Sequence, residues 1–461
     1  MERTLISDTP RAIGQQVTLF GWVHSIRNMG QIIFIDLRDG FGVVQVVFSD
    51  KDKVLQQAAE SLRPESVIKV MGQVAERNAK NVNNKIPTGG IEIQAENLEI
   101  INRSETPPFE IDQEKATDEE LRLKYRYLDL RHERIHRNLL MRHQVIDFIR
   151  RFLNERKFVE IETPIITAPT PEGARDYLVP SRKYPGSFYA LPQSPQQYKQ
   201  LLMIAGFERY YQIARCFRDE DSRGDRQPEF TQLDLEMSFV SEEDILRLSE
   251  ELFTQLVETL YPDKKMTGKP WPRLTHAEAM EKYKTDKPDL RQDKQDGNEL
   301  AFAFITDFPL FSLDKGRLES EHHPFTAPKD GQEELLDKNP KQVISTSYDI
   351  VLNGYEVGSG SLRIHNASIQ QKVFDILGIS QTEAQDKFGH MLEAFKYGAP
   401  PHGGIAPGID RLVMILQNEP NIREVIAFPK TDKGRDPMMG SPRVTDEATL
   451  KELGLQVRKK K

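Results

Sequence analysis

Residues 215–236 read RCFRDEDSRGDRQPEFTQLDLE, and the fold of the larger part of the chain turns on how this stretch alternates. Taken as strands, residues two apart share a face. In YYQIARCFRDE (210–220), Gln212, Ala214, Cys216, Arg218 and Glu220 point one way, and Tyr211, Ile213, Arg215 and Phe217 the other. In FTQLDLEMSF (230–239), Gln232, Asp234 and Glu236 share a face opposite Leu233, Leu235, Met237 and Phe239. The pattern predicts an antiparallel pair with one apolar and one charged face, joined by the loop DSRGDRQPE. A half-exposed sheet with its polar face in water would show the same alternation. Three further segments of the same character favour a site.

The first is STSYDIVLNGYEVGSGSLRIH (345–365). Asn353-Gly354 between β-prone runs predicts a two-residue hairpin turn. The register pairs Leu352 with Tyr355 and Val351 with Glu356, and Asp349 shares the face of Glu356. Two carboxylates that close repel unless a cation sits between them, and hard ions such as Mg²⁺ take oxygen ligands together with substrate phosphates. Arg363 reaches that face only through a bulge, which the glycines at 358 and 360 permit. The second segment is LPQSPQQYKQLLMIAG (191–206). Ser194 and Pro195 predict an N-cap and a first helical residue; Gln196 and Lys199 then share the first turn, where anions are favoured. A capped surface helix with a solvated lysine is the plainer alternative. The third is PPHGGIAPGIDRLVMIL (400–416), a glycine-rich passage from strand to helix that sets Arg411 where it can clamp a phosphate.

The chain has 461 residues, more than one core usually holds. With 38% hydrophobic and 29% charged residues it is expected to fold as a soluble protein. A single cysteine, Cys216, excludes an intramolecular disulfide framework and a cysteine-based structural zinc site. The start lacks a signal-peptide pattern and no apolar run is long enough to span a membrane, so a reducing cytoplasmic setting is expected. The net charge of −8 disfavours non-specific nucleic-acid binding, so any such binding must use local patches. Residues 1–104 contain five short strands and one helix (DKVLQQAAESL), the pattern of an OB-type barrel. The acidic, proline-containing stretch 105–130 reads as a linker, and 131–461 as a mixed second domain opened by a long amphipathic helix.

These motifs resemble those of one family. FRDE followed by RQPEFTQLDLEM is similar to motif 2 of the class II aminoacyl-tRNA synthetases, and GIAPGIDRLVMIL to motif 3. FLNERKFVEIETPII, with Pro164, is similar to motif 1, the dimer-interface element. TPEGARDYLVPSR, QSPQQYKQ, ESEHHPFTAP and NGYEVGSGSLRIH resemble the aspartyl enzymes of bacterial type. The resemblance implies an OB-fold anticodon domain and an α+β catalytic domain built on an antiparallel sheet. It implies a homodimer that uses ATP with Mg²⁺ to join L-aspartate to tRNA(Asp) through an adenylate.

By the same resemblance Arg218, Asp219, Glu220, Gln227, Glu356, Gly408, Ile409, Asp410 and Arg411 bind ATP, with Arg218, Glu220 and Arg411 catalytic. Asp349 and Glu356 hold the metal. Glu172, Ser194, Gln196, Lys199, Arg218, Asp234, His322 and Arg363 receive aspartate, with Lys199 and Arg363 facing its side-chain carboxylate. Phe34, on the polar face of the barrel with Arg27 and Gln45 beside it, is implied as the anticodon platform. The large domain usual in the bacterial enzymes between motifs 2 and 3 is expected to be absent near 290–300, where DKPDLRQDKQDGNEL joins the flanks. Charging of tRNA(Asn) as well, an asparagine- or lysine-specific relative, and a non-catalytic RNA-binding protein remain open on sequence.

Overall fold

The computed structural model describes residues 2–111, 117–169 and 173–458. The chain divides into two compact units, residues 1–113 and 114–461. The first is a closed barrel of five strands, β1 (Gln16–Asn28), β2 (Ile32–Arg38), β3 (Val43–Ser49), β4 (Val67–Glu76) and β5 (Ile91–Asn102), in the order β1-β2-β3-β5-β4. A helix, α1 (Lys53–Glu60), lies between β3 and β4 and is capped by the Asp52 side chain. Inward positions alternate as strand geometry requires: Ile33, Ile35 and Leu37 are buried, while Phe34, Asp36 and Arg38 lie on the other face, half-buried.

The second unit opens with α2 (Glu119–Lys124), α3 (Arg126–Asp129) and α4 (Glu133–Glu155). Then come β6 (Val159–Glu160), β7 (Leu178–Pro180), β8 (Phe188–Ala190), α5 (Gln196–Ile204), β9 (Arg209–Phe217), β10 (Glu229–Ser238), α6 (Glu242–Leu260), β11 (Lys265–Thr267), β12 (Arg273–Thr275) and α7 (His276–Tyr283). The chain continues through β13 (Glu299–Thr306), β14 (Phe311–Asp314), β15 (Arg317–Ser320), α8 (Glu333–Lys338), β16 (Ser347–Leu352), β17 (Tyr355–Leu362), α9 (Ala367–Ile376), α10 (Gln381–Phe395), β18 (His402–Pro407), α11 (Ile409–Leu416) and α12 (Glu447–Glu452). Its main sheet runs β11-β13-β16-β17-β18-β10-β9-β6, with β12 also on β13, and the five pairings from β13 to β9 are antiparallel. One face carries the core: Leu233, Leu235, Phe302, Ile350 and Ile405 pack against Ile149 and Leu153 of α4, Phe253 and Leu256 of α6, and Leu412 and Leu416 of α11. The other face is left for polar side chains.

Three sequence expectations need correction here. The stretch expected as a linker over 105–130 is helical from Glu119, and its arginines are anchored. Arg126 is buried and donates to the carbonyls of Arg423, Ile426 and Ala427 at 2.8–2.9 Å, while Arg122 pairs with Glu424 at 2.8 Å. Composition alone read as a solvated tether because the partners lie some 300 residues away. Phe239, expected on the apolar face, follows the end of β10 with φ 58 and is exposed. Ser194 is not the cap of α5: Pro195 holds that position and the helix begins at Gln196.

Candidate active site

The β9–β10 register sets the floor of the site. Asp234 pairs with Gln212 and Gln232 with Ala214, so Gln232, Asp234 and Glu236 lie together on the face away from the core. The β16–β17 hairpin supplies a second wall. Asn353 and Gly354 form its turn with φ 51 and 85, which an Asn-Gly pair adopts readily. Val351 pairs with Glu356 but Ile350 pairs with Gly358, so Val357 is an extra residue on its strand. This bulge turns Ser359, Ser361 and Arg363 onto the face of Glu356, as the site requires; the added residue precedes the two glycines.

These walls enclose a cavity of about 670 Å³. Of the residues singled out in the sequence, it is lined by Ser194, Gln196, Lys199, Arg218, Glu220, Gln227, Asp234, His322, Glu356, Arg363, Gly408, Asp410 and Arg411. Its deepest polar layer is a buried ionic network. Lys199 Nζ stands 2.9 Å from Asp234 Oδ2 and 3.3 Å from Glu236 Oε2. Arg363 forks onto Glu236 at 2.9 and 3.1 Å and donates to Ser361 Oγ at 2.7 Å. The two cations are therefore not bare, as two unopposed charges facing a substrate would be; each already has a carboxylate partner. Burial pushes Glu236 up, but Arg363 and Lys199 outweigh it and hold its carboxyl below the usual range. For Asp234 burial wins over Lys199, and its carboxyl stands above the usual range. Asp234 Oδ1 is buried without a hydrogen-bond partner among the described residues, an acceptor left over beside the cavity.

At the other end Arg218 lies 5.1 Å over the Phe230 ring, its buried Nε without a partner among the described residues. Arg411, at the start of α11, donates to the Glu356 carbonyl and meets Asp225 Oδ2 at 3.1 Å. Asp349 stands behind the lining, buried, with His322 Nε2 3.4 Å from its Oδ1. Burial, and then the charge of Glu356, raise the Asp349 carboxyl. Burial pulls His322 down, but the hydrogen bond and charge of Asp349 outweigh it and leave the imidazole above its ordinary value. Glu356 is pushed up by burial yet held below its usual value by Lys287 and Arg411. The donor set of two carboxylates flanked by the Ser359 hydroxyl is all oxygen, which fits a hard divalent ion sharing its coordination with phosphate and water.

Other expected residues lie elsewhere or are already engaged by other partners. Glu172 lies outside the described residues. Ile409 has its side chain in the core and offers the cavity nothing but backbone. The Asp410 carboxylate is already committed: it meets Arg142 of α4 and accepts from the Thr231 amide at 2.8 Å. Asp219 lines a smaller adjoining depression with Arg175 and Asp221. Gln227 lines the cavity but exchanges both amide bonds with the Lys430 backbone, at 2.7 and 3.1 Å. Pro164 is exposed beyond the edge strand β6, next to exposed Ile165 and Ile166. In the barrel, Arg27 pairs with Asp36 at 3.0 Å and donates to Gln45 Oε1 at 3.2 Å, beside Phe34, while Gln45 donates to Glu92 at 3.2 Å. Asp225, Ser361 and Lys287 line the cavity and were not anticipated.

Comparison with known proteins adds three findings. The model for tRNA synthetases class II (D, K and N) matches residues 118–432, and that for an OB-fold nucleic acid binding domain matches 17–101. An aspartate–tRNA(Asp/Asn) ligase of Rubrobacter xylanophilus is 45% identical over 96% of this chain and 95% of its own length, in an alignment of 570 positions. An aspartate–tRNA ligase of Staphylococcus epidermidis is 41% identical over 98% of each. Among solved structures, asparaginyl-tRNA synthetase from Pyrococcus horikoshii complexed with asparaginyl-adenylate superposes with a TM-score of 0.75 at 24% identity, over 94% of this chain and 98% of that one.

Proposed function

The chain belongs to the class II tRNA synthetases of the D, K and N group, and we propose that it is an aspartate–tRNA ligase that activates L-aspartate with ATP and transfers it to tRNA(Asp). The observation that carries the choice of amino acid is the buried Lys199–Asp234–Glu236–Arg363 network on the cavity floor. A guanidinium and an ammonium side by side give the positive field that suits the side-chain carboxylate of aspartate. The unpartnered Asp234 Oδ1 suits its α-ammonium.

The reaction brings anions together, so catalysis is positioning and charge stabilisation rather than covalent chemistry. Arg218, with its Nε unpartnered among the described residues, holds the reacting α-carboxylate against the α-phosphate; the carboxylate oxygen forms the new bond to phosphorus and pyrophosphate leaves. Glu220 accepts from the adenine amino group, Gln227 shapes the nucleotide end, and Arg411 binds the terminal phosphate. Asp349 and Glu356 are the residues that would hold Mg²⁺, which supplies charge neutralisation along the polyphosphate. His322, Gln196 and Ser194 complete the aspartate pocket. In the barrel, Phe34 offers a stacking face for an anticodon base, with Arg27 and Gln45 at its side.

A second reading, charging of tRNA(Asn) as well, is favoured by the name of the R. xylanophilus relative. The alignment of 570 positions to a 461-residue chain supports the absence here of a stretch that the relative carries, in keeping with a missing inserted domain between motifs 2 and 3. A homodimer is supported by exposed Val159, Ile165 and Ile166 around Pro164, and light scattering at the monomer mass would count against it. The reading as a whole is tested by ATP–pyrophosphate exchange. Exchange that depends on aspartate, stops on chelation and returns with Mg²⁺ is expected; no exchange with Mg²⁺ present would leave an RNA-binding protein.

A further inference from the structure

One basic side chain reaches the cavity from a segment to which no role has been given. Lys287 belongs to the polar stretch between α7 and β13. It lines the cavity with Gly354, Tyr355 and Glu356, and its Nζ stands 3.3 Å from Glu356 Oε2. Across Glu356, Arg411 donates to the backbone carbonyl of the same residue. Two cations from distant segments thus meet one residue, Lys287 at its carboxylate and Arg411 at its backbone, where the nucleotide's phosphates would lie.

The backbone that delivers Lys287 is braced on the β16–β17 turn. Gly354 has φ +85, and a Cβ there would lie 3.3 Å from Asp289 Cβ, so the segment packs close against the turn. Arg291 forks onto Asp289 at 3.0 and 2.8 Å. The amides of Gln292 and Asp293 donate to the buried Glu299 carboxylate at 2.8 and 2.9 Å. Asn353, in the turn, ties Ala301 N and Glu299 O at 2.8 and 2.9 Å. With the backbone held, the long Lys287 side chain is the part free to change partners. Its pair with Glu356 is about 40% exposed on the lysine side, which makes it a weak tie and an exchangeable one.

We propose that Lys287 is a polyphosphate-binding residue of the nucleotide site, holding Glu356 in the empty cavity and turning to the phosphate oxygens when a divalent ion takes over that carboxylate. The inference rests on the reading of the cavity as an ATP site. A metal ion and an ammonium repel each other across a single carboxylate, whereas a nucleotide triphosphate adds several acceptors within reach. A lysine suits this exchange because it binds phosphate as a flexible point charge.

The test uses Lys287→Met and Lys287→Arg in the full chain. Calorimetric titration with ATP and Mg²⁺, without aspartate, should show affinity reduced about three- to tenfold by Lys287→Met and largely regained by Lys287→Arg. Mn²⁺ alone, followed by electron paramagnetic resonance, should bind Lys287→Met at least as tightly as wild type, because the competing ammonium is gone. In exchange assays the KM for ATP should rise while the KM for aspartate stays within twofold. Unchanged ATP affinity in the presence of Mg²⁺ would overturn the proposal. So would KM values for ATP and aspartate rising in step, the mark of a residue that only props the cavity wall. Wild-type protein without aspartate-dependent exchange would refute the assigned reaction, and the ATP titration would still decide Lys287.

Discussion

Replacing Arg363 by leucine separates the stability of the site from its selectivity. The guanidinium is buried, forks onto Glu236 at 2.9 and 3.1 Å, and donates to Ser361 at 2.7 Å and to His323 Nε2 at 2.8 Å. Leucine removes these donations and leaves Glu236 buried with Lys199 3.3 Å away. Breaking a buried pair from one side costs about 3–5 kcal/mol, because the surviving charge stays desolvated. Lys199 and protonation of Glu236 pull the result toward the lower end. The expected fall in melting temperature is about 4–7 °C for a domain this large. Selectivity should suffer more than folding. Losing a charge-assisted contact to the substrate carboxylate, at about 1.5–3 kcal/mol, raises the aspartate KM by roughly one to two decades. The KM for ATP should stay within about threefold, since Arg218 and Arg411 are untouched. Exchange kinetics at varied aspartate and varied ATP, beside differential scanning calorimetry, read both quantities. A folded Arg363→Leu protein with an unaltered aspartate KM would refute the assignment of the carboxylate pocket.

Asp410→Ala should act on Arg411 rather than on ATP directly. It leaves the Thr231 amide and Arg142 without their partner, and kcat/KM for ATP should fall about ten- to a hundredfold with the aspartate KM unchanged; Arg142→Leu should reproduce the loss, and an active Arg142→Leu protein would contradict the tie. His402 is buried, donates from Nδ1 to the Pro400 carbonyl at 2.7 Å and accepts from Gln200 at 3.1 Å, and burial holds its pKa below the ordinary value. The unfolded chain therefore takes up the proton first, so stability is full above about pH 6.5 and declines as the pH falls toward the folded value. His402→Gln should flatten that decline by up to about 1.4 kcal/mol per pH unit in urea titrations, and an unchanged slope would dismiss His402 as its source. Phe34→Ala should weaken tRNA binding by about 1–3 kcal/mol and leave ATP–pyrophosphate exchange intact; loss of exchange would place Phe34 outside the anticodon role.

Much of this was legible in the sequence, and the reasons differ by segment. Alternation sets which side chains share a face of a strand, so the floor formed by Gln232, Asp234 and Glu236 followed from the quoted stretch. The Asn-Gly turn gave the hairpin register, and the need to bring Arg363 beside Glu356 implied a bulge, which occurs at Val357. The five-strand pattern with one helix led to the closed barrel. What stayed hidden depends on contacts between segments far apart in the chain. The carboxylates that neutralise Lys199 and Arg363 lie 35 and 127 residues from them, and Arg142 reaches Asp410 across 268. No local pattern reports such pairs. Lys287 lay in a polar stretch without periodicity, where a lysine reads as solvated. The helices of 119–129 were masked by acidic residues and prolines upstream, whose composition is that of a tether.

The central claim is that the network on the cavity floor selects aspartate for transfer to tRNA. Its most direct measurement is acylation of purified tRNA(Asp) and tRNA(Asn) with labelled aspartate, and in parallel with labelled asparagine. The account predicts aspartate attached to tRNA(Asp), with or without tRNA(Asn), and no attachment of asparagine to either. Asparagine esterified as readily as aspartate, or no esterification by protein that still binds ATP, would contradict it.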